Sequence, residues 1–304
     1  GIKGSIVVKD RIETSVPDIY AAGDAVQVKH FVTGDDALIS LAGPANKQGR
    51  IIADNICGGD SRYLGSQGSS VIKVFDMTAA TTGINETNAK KSGLEVDTVI
   101  LSPMSHAGYY PGGKVMTMKV VFEKDTYRLL GAQIIGYEGV DKRIDVLATA
   151  IHAGLKATQL KDLDLAYAPP YSSAKDPVNM AGFMIDNIAK GTLKQWHLED
   201  MDKISKDKSV VLLDVRTVGE FNRGHMDGFK NIPVDELRER INEIEKGKPV
   251  YLICQSGLRS YIASRILEGN GYETYNFSGG FRFYDAVVND RALIERSYAC
   301  GMDY

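Results

Sequence analysis

The sequence predicts a chain of several domains, in which an α+β unit is followed by an α/β unit. Its 304 residues exceed the usual size of one domain. Its composition, with 25% charged and 43% hydrophobic residues, is typical of a globular protein. Between residues 71 and 191, strands and helices follow in the order β-β-α-β-β-β-α-α, which indicates helices packed on an antiparallel sheet. Further on, an apolar strand at 250–253 precedes a helical pattern at 260–267, as in an α/β unit.

Composition and charge exclude several classes of protein. The formal net charge of -3 gives no indication of nucleic-acid binding, and no apolar run approaches the ~20 residues that span a bilayer. The first residues lack the charged and apolar regions of a signal peptide. The 3 cysteines and 5 histidines show neither a disulfide framework nor metal-ligand spacing. We therefore expect a cytoplasmic protein that binds neither nucleic acid nor a membrane and holds no metal.

The first part of the chain places a glycine and an acid directly after a predicted strand. Residues 6–8 and 19–22 are the predicted strands, and the second runs into Gly23 and Asp24. Gly23 allows a ligand to approach the backbone closely, and Asp24 offers a carboxylate to a sugar hydroxyl. A helical pattern follows from Ala42 to Ile56.

The middle of the chain is predicted to form the α+β unit. Asp176 and Pro177 act as N-cap and first residue of its last helix, which is predicted to end before Gly191. The predicted strands are 71–75, 78–82, 96–101, 115–122 and 129–136, and the earlier helices are 86–92 and 140–152.

The α/β unit places a cysteine between a strand and a helix. The strand at 250–253 ends at Cys254, and the helical pattern begins at Ser260. Loop N–H groups and the helix dipole favour a thiolate there, and Arg259 adds a full positive charge. Such a thiolate is suited to carry a sulfur atom as a persulfide. From these residues alone, a buried structural cysteine is an equal alternative.

The surrounding motifs resemble the rhodanese family. In family order they are D-x-R at 214–216, E-F and G-H within 220–225, C-x-x-G-x-R-S from Cys254 and G-G-F at 279–281. The resemblance implies an α/β rhodanese domain with a mostly parallel sheet over residues 204–290, followed by a C-terminal tail over 291–304. It implies that Cys254 carries the persulfide and that Asp214 and Arg216 are structural. The loop residues implied to surround the persulfide with amides are Gln255, Ser256, Gly257, Leu258 and Arg259.

A second resemblance covers the residues before 192. The run TSVPDIYAAGDA at 14–25 resembles the second flavin-binding motif of the pyridine nucleotide-disulfide oxidoreductases. It implies that residues 1–62 are the C-terminal part of an FAD-binding domain, in which Gly23 and Asp24 contact FAD, Asp24 at the ribityl chain. Residues 63–191 resemble the dimerisation domain of that family, which implies a homodimer. The helix residues implied to face the flavin pyrimidine are Ala42 and Gly43.

Two tyrosine-bearing segments narrow this resemblance to a subgroup. The run YAPPYSSAKDPVN at 167–179 has no histidine where glutathione reductase-like members carry a His-Pro motif. With HAGYYPG at 106–112, it resembles the coenzyme A-disulfide reductases, in which tyrosines replace that histidine. A phenol pKa near ~10 keeps such hydroxyls protonated, so that they can donate to a leaving thiolate. The implied catalytic pair is Tyr109 and Tyr167, and the alternative candidates for that role are Tyr110 and Tyr171.

The two resemblances together imply a reductase fused to a rhodanese. No G-x-G-x-x-G follows a strand in the sequence, so we expect the chain to be the C-terminal portion of a longer enzyme and to bind FAD weakly alone. The implied activity is a flavin-dependent, NAD(P)H-driven reduction of coenzyme A disulfide, persulfide or polysulfide, with small thiols, disulfides and persulfides as partners. Residues 192–203 are a predicted linker whose Trp196 packs on the rhodanese domain, and 235–246 is a predicted amphipathic helix.

Three other functions stay open at this point. The first is a stand-alone rhodanese sulfurtransferase on a dimer scaffold. The second is an NADH oxidase or peroxidase, against which the tyrosine segments and the fused rhodanese argue. The third is a non-catalytic rhodanese-like docking module, against which Cys254 and Arg259 argue. The sequence leaves open the sulfur donor and acceptor and the choice between NADH and NADPH.

Overall fold

A computed structural model describes residues 1–297 of the chain, with side chains placed as far as residue 288. The chain divides into two compact units, residues 1–98 with 120–156 and residues 99–119 with 157–304. The end of the predicted C-terminal tail, residues 298–304, lies outside the described residues. In the part of the chain described, no helix is both long and apolar enough to cross a membrane.

The first residues form a small sheet and one long helix. The sheet order is β1-β2-β3, with β1 parallel to β2 and β2 antiparallel to β3. The predicted strand at 19–22 is wrong, because Thr14 N–H bonds to the Ile19 carbonyl and closes a turn there. The strand instead follows Gly23. The elements are β1 (Ile6–Val7), β2 (Val26–Lys29), β3 (Asp36–Ala37) and α1 (Ala42–Ile56).

The next elements form the predicted α+β domain, in the predicted order. The sheet order is β4-β5-β8-β7-β6, and the pairs β4–β5 and β5–β8 are antiparallel. Ile144, Leu147 and Ile151 recur at helical spacing on α3 and are buried. The strands are β4 (Ser70–Val74), β5 (Met77–Gly83), β6 (Val96–Leu101), β7 (Thr117–Glu123) and β8 (Leu129–Gly136). The helices are α2 (Glu86–Lys91), α3 (Val140–His152) and α4 (Pro177–Ala189).

The remaining elements build a parallel sheet flanked by helices, as the sequence predicts. Its order is β11-β10-β12-β13-β9, and all four pairs are parallel. The strands are β9 (Gln195–Trp196), β10 (Val211–Asp214), β11 (Lys230–Asn231), β12 (Val250–Ile253) and β13 (Thr274–Phe277). The helices are α5 (Met201–Ile204), α6 (Val218–Arg223), α7 (Leu258–Glu268) and α8 (Gly280–Ser297).

Three predictions for this region need correction. Residues 192–203 are more than a linker, because they contribute the edge strand β9 to the parallel sheet. Trp196 is buried there against Phe229 and Phe277, as its predicted packing requires. The amphipathic helix at 235–246 is wrong: the segment forms turns and one short 3-10 helix at Ile241–Glu243. Helix α8 also continues through the predicted boundary between residues 290 and 291.

Candidate active sites

Cys254 lies on the face of the parallel sheet that α7 covers. Side chains alternate along β12, so Val250, Leu252 and Cys254 join one hydrophobic core, while Ile253 joins the core on the opposite face. The first core also contains Ala263 from α7. This alternation therefore brings the sulfur beneath the N-terminal turn of α7, where it is buried.

Two hydrogen-bond donors contact the Cys254 sulfur. The Gly257 N–H donates to Sγ at 3.1 Å, and the Ser260 hydroxyl donates to Sγ at 3.2 Å. Gly257 is the N-cap of α7 and has a φ of 102°, a left-handed conformation that favours glycine. Because both donors stabilise negative charge on the sulfur, the site is suited to hold a thiolate or a persulfide anion.

The rest of the predicted loop has other roles. Of the amides from Gln255 to Arg259, that of Gly257 is the one with a described hydrogen bond to the sulfur. The Gln255 side chain accepts a 3.4 Å bond from Arg216, and its carbonyl accepts one from the backbone N–H of Arg282. Ser256 lies close to Gly280, and the side chain of Leu258 is exposed.

Arg259 is paired with a carboxylate, a contact that the sequence does not predict. Both of its Nη atoms donate to the carboxylate of Glu220, each at 2.7 Å. The hydrogen bond from Arg259 lowers the pKa of Glu220 to about 2, although partial burial acts in the opposite direction. Glu220 also accepts from Thr217 N–H in the capping box of α6. Arg259 therefore ties the N-terminus of α7 to α6.

Asp214 and Arg216 form the buried scaffold that the sequence predicts. Arg216 donates to both carboxylate oxygens of Asp214, the shortest bond being 2.6 Å from Nη2. The same guanidinium donates to the Gly224 carbonyl and stacks on Phe281 at 3.8 Å. A buried ion pair with this many hydrogen bonds satisfies its own charges. It holds β10, α6 and the residues around Gln255 together.

Tyr109 and Tyr167 meet at their hydroxyl groups, which lie 2.8 Å apart. The hydrogen bond with Tyr109 is the main cause that raises the pKa of Tyr167 above its usual value. Both side chains are exposed, Tyr109 by 76% and Tyr167 by 45%, so the hydroxyl pair is open to a ligand. Of the two alternative tyrosines, Tyr110 packs edge-on against His106, and Tyr171 is exposed by 73%.

The two tyrosine-bearing segments are held together by backbone and capping bonds. Ala107 N–H donates to the Ser172 carbonyl at 2.9 Å, which joins one segment to the other. The Ser172 hydroxyl donates to Asp176 at 2.6 Å, and Asp176 caps α4 by accepting from Val178 N–H. The position of the hydroxyl pair is thus set by the N-terminus of α4.

The residues predicted for FAD lie next to one another and fit its chemistry. Gly23 N–H donates to Gln48 of α1 at 2.8 Å, which fixes the turn that carries Asp24 against that helix. The Asp24 carboxylate is exposed, and the first N–H groups of α1, at Ala42 and Gly43, have no side-chain cap. A cavity of about 600 Å³ opens beside this N-terminus. A carboxylate and a free helix N-terminus suit a polyol chain and an electron-rich ring.

His225 is exposed, stacks on Phe221 at 3.9 Å and contacts the Phe221 carbonyl through Nδ1. Within the described residues, no group of three or more His, Cys, Asp or Glu could hold a metal ion.

Sequence reasoning missed two contacts at the Cys254 site. Ser260 donates directly to the sulfur, and the final S of C-x-x-G-x-R-S was the available signal for it. Glu220 neutralises Arg259, but the two residues are 39 positions apart, and only the fold brings them together.

Comparison with known families identifies both halves of the chain. Residues 69–177 match the pyridine nucleotide-disulphide oxidoreductase dimerisation domain, which includes the tyrosine pair. Residues 197–286 match the rhodanese-like domain, which includes Cys254. The chain joins a pyridine nucleotide-disulphide oxidoreductase dimerisation domain to a rhodanese-like domain.

Proteins with the same arrangement are similar along nearly the whole chain. The reduced CoADR-RHD of Bacillus anthracis is 47% identical with a TM-score of 0.92, over 96% of this chain and 52% of its own. A NAD-dependent persulfide reductase from A. fulgidus is 41% identical with a TM-score of 0.85, over 93% of this chain and 52% of its own.

A curated relative matches part of the chain. The NAD(P)H sulfur oxidoreductase (CoA-dependent) of Pyrococcus abyssi is 38% identical over 178 residues, which are 59% of this chain and 40% of that protein. The chain therefore spans about half the length of the two solved relatives and less than half of this curated one.

Proposed function

We propose that the chain works as part of a flavin- and NAD(P)H-dependent reductase of coenzyme A disulfide, persulfide or polysulfide, in which Cys254 carries sulfane sulfur as a persulfide. The observation that carries this proposal is the Cys254 sulfur, which accepts hydrogen bonds from Gly257 N–H and the Ser260 hydroxyl at the start of α7. The similarity to CoADR-RHD and to a persulfide reductase supports it.

Sulfur transfer at Cys254 needs no external oxidant or reductant. The thiolate attacks the outer sulfur of a donor R–S–S⁻, the donor S–S bond breaks, and R–S⁻ leaves and takes a proton. A new S–S bond then joins Cys254 to the transferred sulfur. An acceptor thiolate attacks that outer sulfur in the second step, and Cys254 leaves as a thiolate. Gly257 N–H and Ser260 contact Sγ, and so stabilise it as the thiolate that attacks in the first step and leaves in the second.

Reduction of a sulfur–sulfur bond is proposed for the tyrosine pair. When one thiolate departs from a disulfide or persulfide, Tyr167 and Tyr109 donate a hydrogen bond or a proton to it. The mutual hydrogen bond keeps the Tyr167 hydroxyl protonated at neutral pH, since it raises the pKa of that group. Asp24 would hold the ribityl chain of FAD, and Ala42 and Gly43 its pyrimidine. Bound FAD would supply electrons taken from NAD(P)H.

A homodimer through residues 63–191 is part of the proposal. Strand β4 is the edge of its sheet, and Val71, Ile72 and Val74 expose apolar side chains on both of its faces, each by more than half. Phe75 beside them is exposed by 94%. An exposed apolar edge strand is a template for further association, and a second copy of this dimerisation domain is the occupant we propose.

The other functions considered fit the site less well. A docking module would not need two donors aimed at a buried Cys254 sulfur. An oxidase or a stand-alone sulfurtransferase would leave the Tyr109–Tyr167 pair without a role. We also propose a cytoplasmic setting, because both described cysteines, Cys57 and Cys254, are free thiols.

Sulfur loading of Cys254 tests the proposal. The purified chain is incubated with thiosulfate or polysulfide and analysed by mass spectrometry. We expect one added sulfur on the peptide that carries Cys254, and we expect cyanide to remove it. Cys254→Ser should abolish the addition, whereas Cys57→Ser, which removes the exposed free thiol, should leave it unchanged. Loading that persists in Cys254→Ser would assign the persulfide to another residue.

A further inference from the structure

The amide side chain of Asn276 lies in the middle of the parallel sheet. Asn276 is in register with Leu252 of β12 on one side and with Gln195 of β9 on the other, and it is only 4% exposed. A buried amide in a parallel strand is unusual, because such strands are generally apolar on both faces. Its presence there requires a specific partner.

That partner is the glycine of the Cys254 loop. The Asn276 Nδ2 donates to the Gly257 carbonyl at 3.2 Å. The same carbonyl accepts from Tyr261 N–H in the first turn of α7. The Ser260 hydroxyl lies 3.1 Å from this carbonyl, but its single proton is the one donated to Cys254. Asn276 is the donor that comes from outside the loop and its helix, so it links the loop to a rigid strand.

Gly257 needs such an anchor for its contact with the sulfur. Glycine has little steric preference for one backbone conformation, so its φ of 102° is not fixed by its own atoms. The N–H that donates to Cys254 and the carbonyl that accepts from Asn276 flank the same Cα. Holding the carbonyl therefore restricts the direction of the N–H.

The other half of the Asn276 amide is not used. Its Oδ1 atom is buried and has no hydrogen-bond partner among the described residues. A buried acceptor without a partner destabilises the fold, and turning the amide over would bring Oδ1 against the Gly257 carbonyl. An apolar side chain would therefore be more favourable for stability at this position. The stability that the unpaired Oδ1 costs is consistent with a functional role for the Nδ2 donor of Asn276.

We propose that Asn276 is a positioning residue for sulfur transfer, which acts on Cys254 through Gly257. It holds the Gly257 N–H on the sulfur and so favours the thiolate. The inference rests on the proposed function of Cys254 but concerns a residue of another strand. The charged groups that face the loop are already paired, Arg259 with Glu220 and Arg216 with Asp214, and they are the same in the variants below.

The test compares the pH profile of Cys254 alkylation in the full chain. Iodoacetamide is the probe, and labelling of the Cys254 peptide is followed by mass spectrometry. In Asn276→Val the Nδ2 donor is lost at similar volume, so we expect the profile to move to higher pH and labelling at neutral pH to slow about three- to tenfold. The melting temperature should stay equal or rise, because the unpaired Oδ1 is removed as well.

A matched control lies two residues earlier on the same strand. Thr274 is also buried, and its hydroxyl donates to Glu268 at 2.8 Å, away from the Cys254 loop. Thr274→Val should lower the melting temperature and leave the alkylation profile unchanged. An unchanged profile in Asn276→Val, or an equal shift in both variants, would overturn the proposal.

Alkylation also separates this inference from the proposed function. Labelling needs a thiolate but no sulfur transfer. If wild-type Cys254 takes up no sulfur while Asn276→Val still shifts the labelling profile, the sulfurtransferase function fails and the positioning role stands. If sulfur loads normally and the profile does not move, only the positioning role fails.

Discussion

Arg259 and Glu220 form a bidentate ion pair, in which each Nη donates to one carboxylate oxygen at 2.7 Å. The pair joins the first turns of α7 and α6, the two helices that follow Cys254 and Arg216. Its consequence is that a carboxylate partly offsets the arginine charge near the sulfur. The local donors, Gly257 N–H and the Ser260 hydroxyl, are therefore left to stabilise the sulfur anion.

Glu220→Gln should alter stability and reactivity in opposite directions. Glutamine keeps the capping box of α6 but loses the ion pair with Arg259. The pKa of Glu220 is lowered to about 2, so its stabilising effect is fully present above the unfolded value near ~4.5 and is lost as the pH falls towards 2. After allowance for solvent screening we expect a loss of about 1–2 kcal/mol at pH 7, measured by urea unfolding.

The decisive measurement is how the difference in the free energy of unfolding between wild type and Glu220→Gln depends on pH. The stabilities of wild type and Glu220→Gln should converge between about pH 4.5 and 2, as Glu220 is protonated in the wild type. Alkylation of Cys254 at neutral pH should become faster in the variant, because Arg259 is released from its counter-charge. A constant stability difference down to pH 2 would contradict the role given to the ion pair.

Ser278→Ala should weaken a link between β6 and the end of β13. The Ile100 N–H donates to the Ser278 hydroxyl at 3.1 Å, and both residues are buried. Removing the hydroxyl leaves that N–H without its acceptor, at a cost of about 1–3 kcal/mol in the free energy of unfolding. Hydrogen exchange of the Ile100 amide should quicken as well. Ser92→Ala, at an exposed helix end, is the control and should change neither quantity.

Phe75→Asp should convert the proposed dimer to a monomer. Phe75 is exposed by 94% and has a φ of 51°, a conformation that aspartate adopts more easily than phenylalanine. The substitution therefore relieves backbone strain in the single chain but puts a charge into the proposed interface. Light scattering at micromolar concentration measures the change. Val218→Asp, at an exposed apolar residue of α6, should leave the dimer intact.

Local patterns in the sequence predict most of this fold. The bounds of α1, α3, β6, β8 and β12 agree with the structure, because apolar periodicity and capping residues define them. The helix predicted at 235–246 fails for a tertiary reason. Leu237 and Ile244 are buried at a helix-like spacing, but the Tyr272 hydroxyl bonds to the carbonyls of Ile241 and Ile244. Such long-range bonds hold the segment in turns.

In the candidate sites, too, local motifs predict some residues, whereas long-range contacts could not be predicted. Cys254, Gly257 and the tyrosine pair could be predicted, because each lies in a contiguous motif. The partners that define their chemistry could not. Glu220 reaches Arg259 across 39 positions and Asn276 reaches Gly257 across 19, and neither contact leaves a local pattern.

The tyrosine pair gives the sharpest test of the reductase chemistry. Tyr109→Phe with Tyr167→Phe keeps both rings and removes the two hydroxyl groups that lie 2.8 Å apart. The substitution should cost little stability, since both side chains are exposed. Under the proposed function, reduction of coenzyme A disulfide by the protein with bound FAD should fall by about 10²–10⁴-fold, the usual contribution of a general acid. Flavin reduction by NAD(P)H should stay near the wild-type rate.

Two controls make the outcome specific to those hydroxyl groups. Tyr171→Phe alters a nearby tyrosine that is exposed by 73%, and we expect it to retain disulfide reduction. Sulfur loading of Cys254 should be normal in every tyrosine variant, because that sulfur takes its donors from Gly257 and Ser260. Normal disulfide turnover in the double variant would remove Tyr109 and Tyr167 from the mechanism. The coenzyme A-dependent part of the proposed function would then lose its structural support, while the persulfide chemistry of Cys254 would stand.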